Sequence, residues 1–244
     1  MAFKACDSGL TEDGAPLCWQ AKPVSRRRWA SPLLYYITDR QQFAGDEGQK
    51  REKLLQKIAE CAAAGVDYLQ LREKDLSGRE LERLANDVMS AIPAGSKTRL
   101  LINGRTDIAL ACGAHGVHLP AGDISASDVR SLWMKVSQDA IPPVIGVSAH
   151  SLSEVLSAEA HGADFVVFGP VFQKEGRTNA AGLEELQEVC AQSTIPVLAL
   201  GGVTLENTRQ CLHAGASGVA GIRLFQSGDV SEVSNRLRSS TARR

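Results

Sequence analysis

The stretch AGVDYLQLREK, residues 64–74, indicates the fold class, because it joins the end of a predicted helix to the start of a predicted buried strand. Gly65 can adopt the left-handed conformation that commonly closes a helix, and the apolar run after it has the length of a strand. The same junction recurs as CGAHGVHL at 112–119, HGADFVVFG at 161–169 and AGASGVAGI at 214–222. A repeated helix–glycine–strand junction predicts a chain in which helices and strands alternate.

Eight short apolar runs can be counted from Leu33 onward, and they read LLYYIT, VDYLQLR, RLLIN, GVHL, PVIGVS, DFVVFG, PVLALG and GVAGIRLF. Continuous apolar runs are typical of strands buried on both faces, as in a parallel sheet. Segments with helical periodicity separate them, at 53–64, 79–92, 107–112, 125–133, 152–161, 183–191, 205–214 and 230–237. Eight such units predict an α/β fold, a single (β/α)8 TIM barrel over residues 32–240. An open doubly wound sheet is the alternative, but it gives no reason for eight units.

The remaining composition narrows the class of protein. Residues 1–31 mix Gly, Pro and charge without a hydrophobic period, which predicts a flexible N-terminal extension. The net charge of -1 gives no basic field to attract nucleic acid. No run approaches the ~18 apolar residues of a membrane span, and no apolar signal segment is seen. Six scattered cysteines predict reduced thiols in a cytoplasmic protein, and the choice between monomer and homo-oligomer stays open.

The end of the second apolar run carries the clearest indication of a binding site. Active sites of such barrels lie at the C-terminal ends of the strands. Alternation along the strand sends Gln70, Arg72 and Lys74 to one side, and it sends Leu71 and Glu73 to the other. Two cations on one face of a barrel mouth are costly to desolvate without an anion. The pair therefore predicts a phosphate or diphosphate site, with solvated loop charges as the alternative.

Asn103 ends the third run, His118 lies in the fourth and Asp123 follows it, which places all three at neighbouring strand ends where a hard cation could bind. A lone carboxylate at Asp123 can hold Mg²⁺ when water and substrate phosphate oxygens complete the shell. The alternative for Asp123 is an N-cap of the helix that begins near Ser125. The alternative for His118 is a hydrogen-bonded core histidine. The sequence leaves both choices open.

The loops after the fifth and sixth runs offer polar side chains of several kinds. Ser148 can donate to phosphate, and His150 can move a proton. Ser151, with Glu154 three residues on, predicts a capping box at the start of a helix. The sixth loop is rich in donors and is interpreted as a lid, with candidate contact residues Lys174, Arg177 and Thr178.

The segments GGVT at 201–204 and AGIR at 220–223 stand where many barrels hold a phosphate on backbone N–H groups. Glycines permit a close approach of the ligand, which favours a second phosphate seat at Gly201, Gly202 and Thr204. Thr204 is also a candidate N-cap for the following helix.

Taken in order, these segments resemble the thiamine phosphate synthase family. The resemblance covers about residues 34–225 and is carried by YYITDR, GVDYLQLREKDLSGREL, LLINGRTDIALACGAHGVHL, GVSAHS, EAHGADFVVFGPVF and PVLALGGVTLEN followed by GASGVAGI. The order and spacing of the motifs around the whole predicted barrel make it specific. The related thiazole tautomerases share most of these motifs.

The resemblance implies a transferase of thiamine biosynthesis that couples hydroxymethylpyrimidine diphosphate to a thiazole phosphate with Mg²⁺ and releases diphosphate. The residues it implies for the pyrimidine diphosphate are Gln70, Arg72, Lys74, Asn103 and Ser148. The candidate catalytic residues are Lys74, Arg72, Ser148 and His150. Asp123 would hold the metal, and the thiazole phosphate would bind Gly201, Gly202, Thr204 and Arg223.

The chain departs from the family pattern at several positions. Gly104 stands where the pattern N-D-R has a second metal-binding Asp, and HLPAGD replaces H-L-G-Q-x-D. The sixth loop lacks P-T-x-T-K, and Arg223 stands where Ser is usual, which adds a charge to the second phosphate seat.

Three functions follow from the resemblance, and a synthase is the first. The cation pair of Arg72 and Lys74 suits a diphosphate, which a tautomerase does not have to bind. A tautomerase is the second, because it would use His150 as acid–base catalyst and needs no metal. A non-catalytic barrel that binds thiamine precursors is the third.

Overall fold

The computed structural model describes residues 31–137, 141–173 and 180–239. Within these ranges, eight parallel strands follow one another around a closed barrel, in which β8 pairs with β1. This ring confirms the predicted TIM barrel and excludes the open doubly wound sheet. The strands are β1 (Leu33–Ile37), β2 (Tyr68–Leu71), β3 (Arg99–Asn103), β4 (Gly116–Leu119), β5 (Val144–Ala149), β6 (Phe165–Phe168), β7 (Val197–Ala199) and β8 (Gly218–Gly221).

The helices of the described residues surround the barrel. They are α1 (Glu47–Ala63), α2 (Gly78–Ala91), α3 (Thr106–Ala111), α4 (Ala126–Val136), α5 (Leu152–Ala160), α6 (Gly182–Gln192), α7 (Thr208–His213), α8 (Arg223–Gln226) and α9 (Val230–Ser239). Several begin at polar caps whose side chains accept a backbone N–H three residues on, namely Asp46, Ser77, Ser125 and Ser151. At Ser151 the box is incomplete, because the Glu154 carboxylate accepts from the N–H of His150 instead.

Several boundaries differ from the sequence prediction, and three of the differences have a clear physical reason. Helix α1 begins at Glu47, one and a half turns early, because Asp46 and Gln49 form a capping box. The eighth apolar run is a strand only to Gly221, and its end is the short helix α8. Helix α7 begins at Thr208, since Asn207 folds back and accepts from the N–H of Thr204, which excludes Thr204 as the N-cap.

Two layers of buried side chains hold the barrel together. On β1, Leu33, Tyr35 and Ile37 point into the barrel, whereas Leu34 and Tyr36 pack against the helices. This alternation follows from the two-residue period of a strand, with both faces buried by the closed ring. The polar residues at the strand ends are therefore gathered around the mouth of the barrel.

Three further predictions concern the N-terminal extension, the cysteine thiols and the lack of a membrane span. The predicted N-terminal extension falls almost wholly on residues 1–30, outside the described residues. The thiols of Cys61 and Cys211 are buried in the core around the helices. Within the described ranges, the structure contains no helix with the length and apolar character of a membrane span.

Candidate active site

A cavity of about 1150 Å³ opens at the C-terminal ends of the strands. This volume exceeds the roughly 300–1,000 Å³ of most small-molecule sites, so the cavity has room for two small substrates. Most of the sequence-predicted site residues line it, namely Gln70, Arg72, Lys74, Asn103, Ser148, His150, Gly201, Gly202, Thr204 and Arg223. The structure therefore brings together residues that are up to 153 positions apart in the chain.

The predicted alternation after β2 is seen in the structure. Gln70, Arg72 and Lys74 line the cavity. Leu71 packs in the core around the helices, and Glu73 is buried on the opposite side from the cavity-lining residues. The two cations thus lie on one wall of the cavity, as the sequence predicts.

A buried arginine from the segment after β1 fixes the backbone around Lys74. Arg40 is 3% exposed, and its guanidinium donates to Glu73 and, through two bonds of 2.7 Å, to Asp75. Thr38 donates to Glu73 over 2.6 Å and accepts the N–H of Arg72. Both acidic residues that flank Lys74 are therefore paired with Arg40.

The ionisation of these two acidic residues follows from their surroundings. Hydrogen bonds from Arg40 lower the pKa of Asp75 to about 2. Burial raises the pKa of Glu73, while hydrogen bonds from Thr38 and Arg40 act in the opposite direction. Both carboxylates accept hydrogen bonds from Arg40, so they are paired with this arginine and not with Arg72 or Lys74.

Gln70, which lines the cavity, has a buried side-chain acceptor without a partner. Its Nε2 donates to Asn103 Oδ1 over 2.7 Å, and the residue is 2% exposed. Among the described residues, its Oε1 is the buried side-chain oxygen without a hydrogen-bond partner. An unpaired buried polar atom costs about 1–3 kcal/mol, which a ligand N–H group would offset.

His118 is a core histidine rather than a metal ligand. Its Nδ1 lies 3.0 Å from the Tyr35 hydroxyl, and its Nε2 lies 2.8 Å from Ser148 Oγ. Burial, and then the charge of Arg72, lowers the pKa of His118 to about 3, so the ring is neutral. Both ring nitrogens have protein partners, which decides between the two sequence interpretations of this residue.

Asp123 is exposed and lies just after Pro120 and Ala121, which line the cavity. Its Oδ1 accepts the N–H of Ile124, and helix α4 is capped by Ser125, so Asp123 is not the helix cap. In the described residues, no cluster of three or more His, Cys, Asp or Glu side chains is arranged to hold a metal ion. Asp123 would therefore have to share an ion with water and a substrate.

The residues of the second predicted phosphate seat lie after β7 and β8. Gly201 and Gly202 have φ values of +94° and +66°, and a Cβ at Gly202 would lie 2.7 Å from Phe172 Cβ. The Thr204 hydroxyl donates to Glu206, which lowers the pKa of that carboxyl. Arg223 begins the short helix α8 at the same end of the cavity. Glu206, which sequence reasoning missed, adds a negative charge beside this seat.

The imidazole of His150 is held by the backbone of the sixth loop. Its Nδ1 donates to the carbonyl oxygen of Gly169. A carbonyl oxygen can only accept, so Nδ1 carries a proton. The predicted lid residues Lys174, Arg177 and Thr178 lie outside the described residues.

Sequence reasoning also missed Tyr35, Thr38 and Arg40, which belong to β1 and the segment after it. The strand-end rule that identifies Arg72 and Lys74 applies equally to the first run, which ends in ITDR. Applied there, it would have selected Thr38 and Arg40. Tyr35 lies inside an apolar run, where the pattern of the sequence gives no sign of a polar contact.

Known proteins resemble this chain over nearly all of the barrel. The model of the family described as thiamine monophosphate synthase matches residues 34–225. A putative thiamine-phosphate synthase 2 from Aquifex aeolicus is 43% identical over 196 residues, which cover 80% of this chain and 97% of the relative. The thiamine-phosphate synthase of Methanoculleus marisnigri is 34% identical over 215 residues, 86% of this chain and 95% of the relative. The solved thiamine phosphate pyrophosphorylase of Pyrococcus furiosus superposes with a TM-score of 0.69 at 29% identity, covering 85% and 94% of the two chains.

Proposed function

The chain belongs to the thiamine monophosphate synthase family, and from that membership we propose the roles of the residues around the mouth of the barrel. It is a thiamine-phosphate synthase, a transferase that acts on small phosphorylated pyrimidine and thiazole substrates. We propose that it joins hydroxymethylpyrimidine diphosphate to the thiazole phosphate and that the two occupy different parts of the cavity.

The observation that carries this proposal is the position of Arg72 and Lys74 on one cavity wall, with the neighbouring carboxylates turned toward Arg40. A diphosphate placed against this wall meets two cations whose flanking carboxylates, Glu73 and Asp75, are paired with Arg40. Preorganised charge stabilises a leaving group as its negative charge develops, without the cost of reorienting water. Arg72 and Lys74 are therefore the residues that lower the barrier to loss of diphosphate.

The unsatisfied oxygen of Gln70 fits the pyrimidine end of the same substrate. The aminopyrimidine ring has an amino group, and Gln70 Oε1 is an acceptor in the cavity wall. Asn103 fixes the orientation of the Gln70 amide through its own side chain. Ser148, on β5 at the cavity wall, offers a hydroxyl to the diphosphate.

The reaction needs little acid–base chemistry from the protein. The bond between the pyrimidine methylene carbon and the diphosphate oxygen breaks, and the electron pair leaves with the oxygen. The thiazole nitrogen then bonds to that carbon through its lone pair. No proton has to move in either step, so binding, orientation and charge stabilisation by the cavity wall account for catalysis.

The thiazole phosphate is assigned to the end of the cavity formed by β7 and β8. Gly201 and Gly202 have no side chains to block a phosphate, and Arg223 supplies a positive charge. Glu206 would repel a phosphate placed against it, which favours a position nearer to Arg223.

Magnesium fits the site as an ion carried mainly by the substrate. Asp123 offers the carboxylate for it, with Oδ1 accepting the N–H of Ile124 and Oδ2 facing Gly104. Mg²⁺ is often held by one or two carboxylates together with waters and substrate phosphate oxygens. We propose that Asp123 holds Mg²⁺ in this way, and the bound ion would supply further charge neutralisation for the leaving diphosphate.

We also propose a cytoplasmic location. Cys61, Cys112 and Cys211 are free thiols, and thiols persist where the compartment is reducing. Cell fractionation followed by immunoblotting measures this directly, and recovery of the protein with secreted material would contradict it.

The test is an assay of thiamine phosphate formation from the two precursors with Mg²⁺. We expect Lys74→Ala and Arg72→Ala each to lower turnover by about 10²-fold or more, and His150→Ala to have a smaller effect. Lys135→Ala, on the exposed face of α4, is the matched control and leaves turnover unchanged. The opposite ranking, with His150 dominant, would favour a thiazole tautomerase. Tight precursor binding without any product would favour the non-catalytic barrel.

A further inference from the structure

A chain of three polar side chains leads from the closed interior of the barrel to the cavity. The Tyr35 hydroxyl lies 3.0 Å from His118 Nδ1, and His118 Nε2 lies 2.8 Å from Ser148 Oγ. Tyr35 is fully buried and His118 is 2% exposed, while Ser148 is half-buried on the cavity wall. This series of hydrogen-bonded side chains therefore ends at the Ser148 hydroxyl, which a substrate can reach.

Two hydrogen-bond polarities fit these distances, and they have opposite consequences. In the first, Tyr35 donates to Nδ1, and Nε2–H donates to Ser148. In the second, Nδ1–H donates to Tyr35, and Ser148 donates to Nε2. A neutral imidazole carries one proton, so the two arrangements exclude each other.

The surroundings of Tyr35 favour the first polarity. Among the described residues, His118 is the hydrogen-bond partner of this hydroxyl, and the rings of Tyr68 and Phe165 pack around it. Under the second polarity, the proton of a fully buried hydroxyl would have no acceptor, which is unfavourable. Burial also raises the pKa of Tyr35 and lowers that of His118, so the hydroxyl keeps its proton and the ring stays neutral.

We infer that Tyr35 and His118 are positioning residues that turn the proton of Ser148 toward the diphosphate of the substrate. This inference rests on the proposed function, because it assigns an anion to the wall beside Ser148. When Ser148 Oγ accepts from Nε2–H, its own proton is left for a ligand in the cavity. With the reverse polarity, Ser148 would give its proton to His118 and present only lone pairs to an anion.

The barrel is built to keep the imidazole in this position. His118 on β4 pairs with Gly146 on β5, two residues before Ser148 on the same face of the strand. A Cβ at Gly146 would lie 2.9 Å from His118 Nδ1 and 2.5 Å from Phe165 Cζ. The absent side chain at Gly146 leaves the space that the histidine ring fills between Tyr35 and Ser148.

The first test reads the position of the imidazole proton by NMR of ¹⁵N-histidine-labelled full-length protein. The signal of His118 is assigned by its absence in His118→Gln. We expect the Nε2–H tautomer in the unsubstituted protein and loss of this preference in Tyr35→Phe. Tyr36→Phe is the matched control, because Tyr36 is the next residue of β1 and its hydroxyl donates to Gln226 outside the barrel. A proton on Nδ1 in the unsubstituted protein would overturn the inference.

The second test is a double-mutant cycle between Tyr35→Phe and Ser148→Ala. We expect Tyr35→Phe to lower turnover by about 10-fold, with the KM for the thiazole phosphate unchanged. In the Ser148→Ala background, the same substitution should lower turnover no further, because its effect passes through the missing hydroxyl. An equal fall in both backgrounds would mean that Tyr35 has only a structural role. Thermal unfolding of Tyr35→Phe and Tyr36→Phe, side by side, shows whether both variants fold.

Binding of inorganic diphosphate separates failure of this inference from failure of the proposed function. A chain that forms no thiamine phosphate would contradict the function, while the tautomer and the diphosphate affinity would still be measurable. We expect Tyr35→Phe and Ser148→Ala to weaken diphosphate binding to a similar extent, and the double variant to bind no more weakly than either. Unchanged binding in both single variants would overturn the inference.

Discussion

Arg40 donates from Nη1 to the carboxylate of Glu73 over 3.0 Å, and the two side chains are only 4% and 1% exposed. The same guanidinium holds Asp75, so one buried cation engages both residues that flank Lys74. The positive wall of the cavity therefore depends on a third cation that lies behind it. The segment after the first strand sets the electrostatics at the end of the second.

Replacing Arg40 with Met should strongly destabilise the protein. The substitution leaves Glu73 buried without its cationic partner, and breaking a buried pair in this way costs about 3–5 kcal/mol. Urea unfolding followed by circular dichroism measures the change. Arg51→Met is the matched control, because the pair of Arg51 with Asp87 is 38% and 45% exposed and such pairs contribute about 1 kcal/mol or less. Equal effects of the two substitutions would contradict the role assigned to Arg40.

The ion pair of Asp75 should make stability depend on pH in the acid range. Hydrogen bonds from Arg40 lower the pKa of Asp75 to about 2 in the folded protein, from an ordinary value of 3.8. A lowered folded-state pKa stabilises the protein above the ordinary value, and this contribution is lost as the pH falls from about 4 to about 2. Because Asp75 is half exposed, we expect less than about 1 kcal/mol from it.

Unfolding free energies of the unsubstituted protein and Asp75→Asn, measured from pH 6 to pH 2, test this dependence. The difference between the two unfolding free energies should become smaller as the pH falls toward 2. Two curves that stay parallel over the whole range would show that Asp75 does not titrate with the lowered pKa.

The sequence predicts the features that depend on local periodicity. Repeated glycine junctions predict the barrel, and alternation over residues 70–74 predicts which side chains of that segment face the cavity. The sequence does not predict individual side-chain contacts between distant parts of the chain. Tyr35 and His118 are 83 positions apart and meet only because the closed barrel brings β1 and β4 across from each other. The strand predicted for the end of the eighth apolar run is also wrong, because Phe225 is buried as part of a short helix.

Introducing a second carboxylate at Gly104 should tighten the binding of Mg²⁺. A Cβ at Gly104 would lie 3.7 Å from Asp123 Oδ2 and 3.7 Å from Pro120 Cδ, so a side chain fits there. We expect Gly104→Asp to lower the Mg²⁺ concentration for half-maximal activity by about 10-fold, since two carboxylates hold the ion better than one. The φ of +61° adds a stability cost of about 1 kcal/mol.

Gly104→Asn is the control for that backbone cost, because the Asn side chain has nearly the same size as that of Asp and carries no charge. An equal Mg²⁺ response of the two variants would argue against a metal beside Asp123. Isothermal titration with Mg²⁺ in the presence of inorganic diphosphate gives the same comparison without turnover.

Removing the charge of Arg223 should weaken the binding of the thiazole phosphate and leave the binding of the pyrimidine diphosphate unaffected. Arg223 lies at the β8 end of the cavity, two strands around the barrel from β2, after which Arg72 and Lys74 line the wall. We expect Arg223→Ala to raise the KM for the thiazole phosphate by about 10-fold, with little change in the KM for the pyrimidine diphosphate, because it removes one charged contact to a single phosphate. The difference between variant and unsubstituted protein should narrow at high salt, since an exposed charge is screened. Arg209→Ala, which removes an exposed arginine from α7, should change neither KM. If Arg223→Ala instead raised the KM for the pyrimidine diphosphate, the two ends of the cavity would have to exchange their substrates.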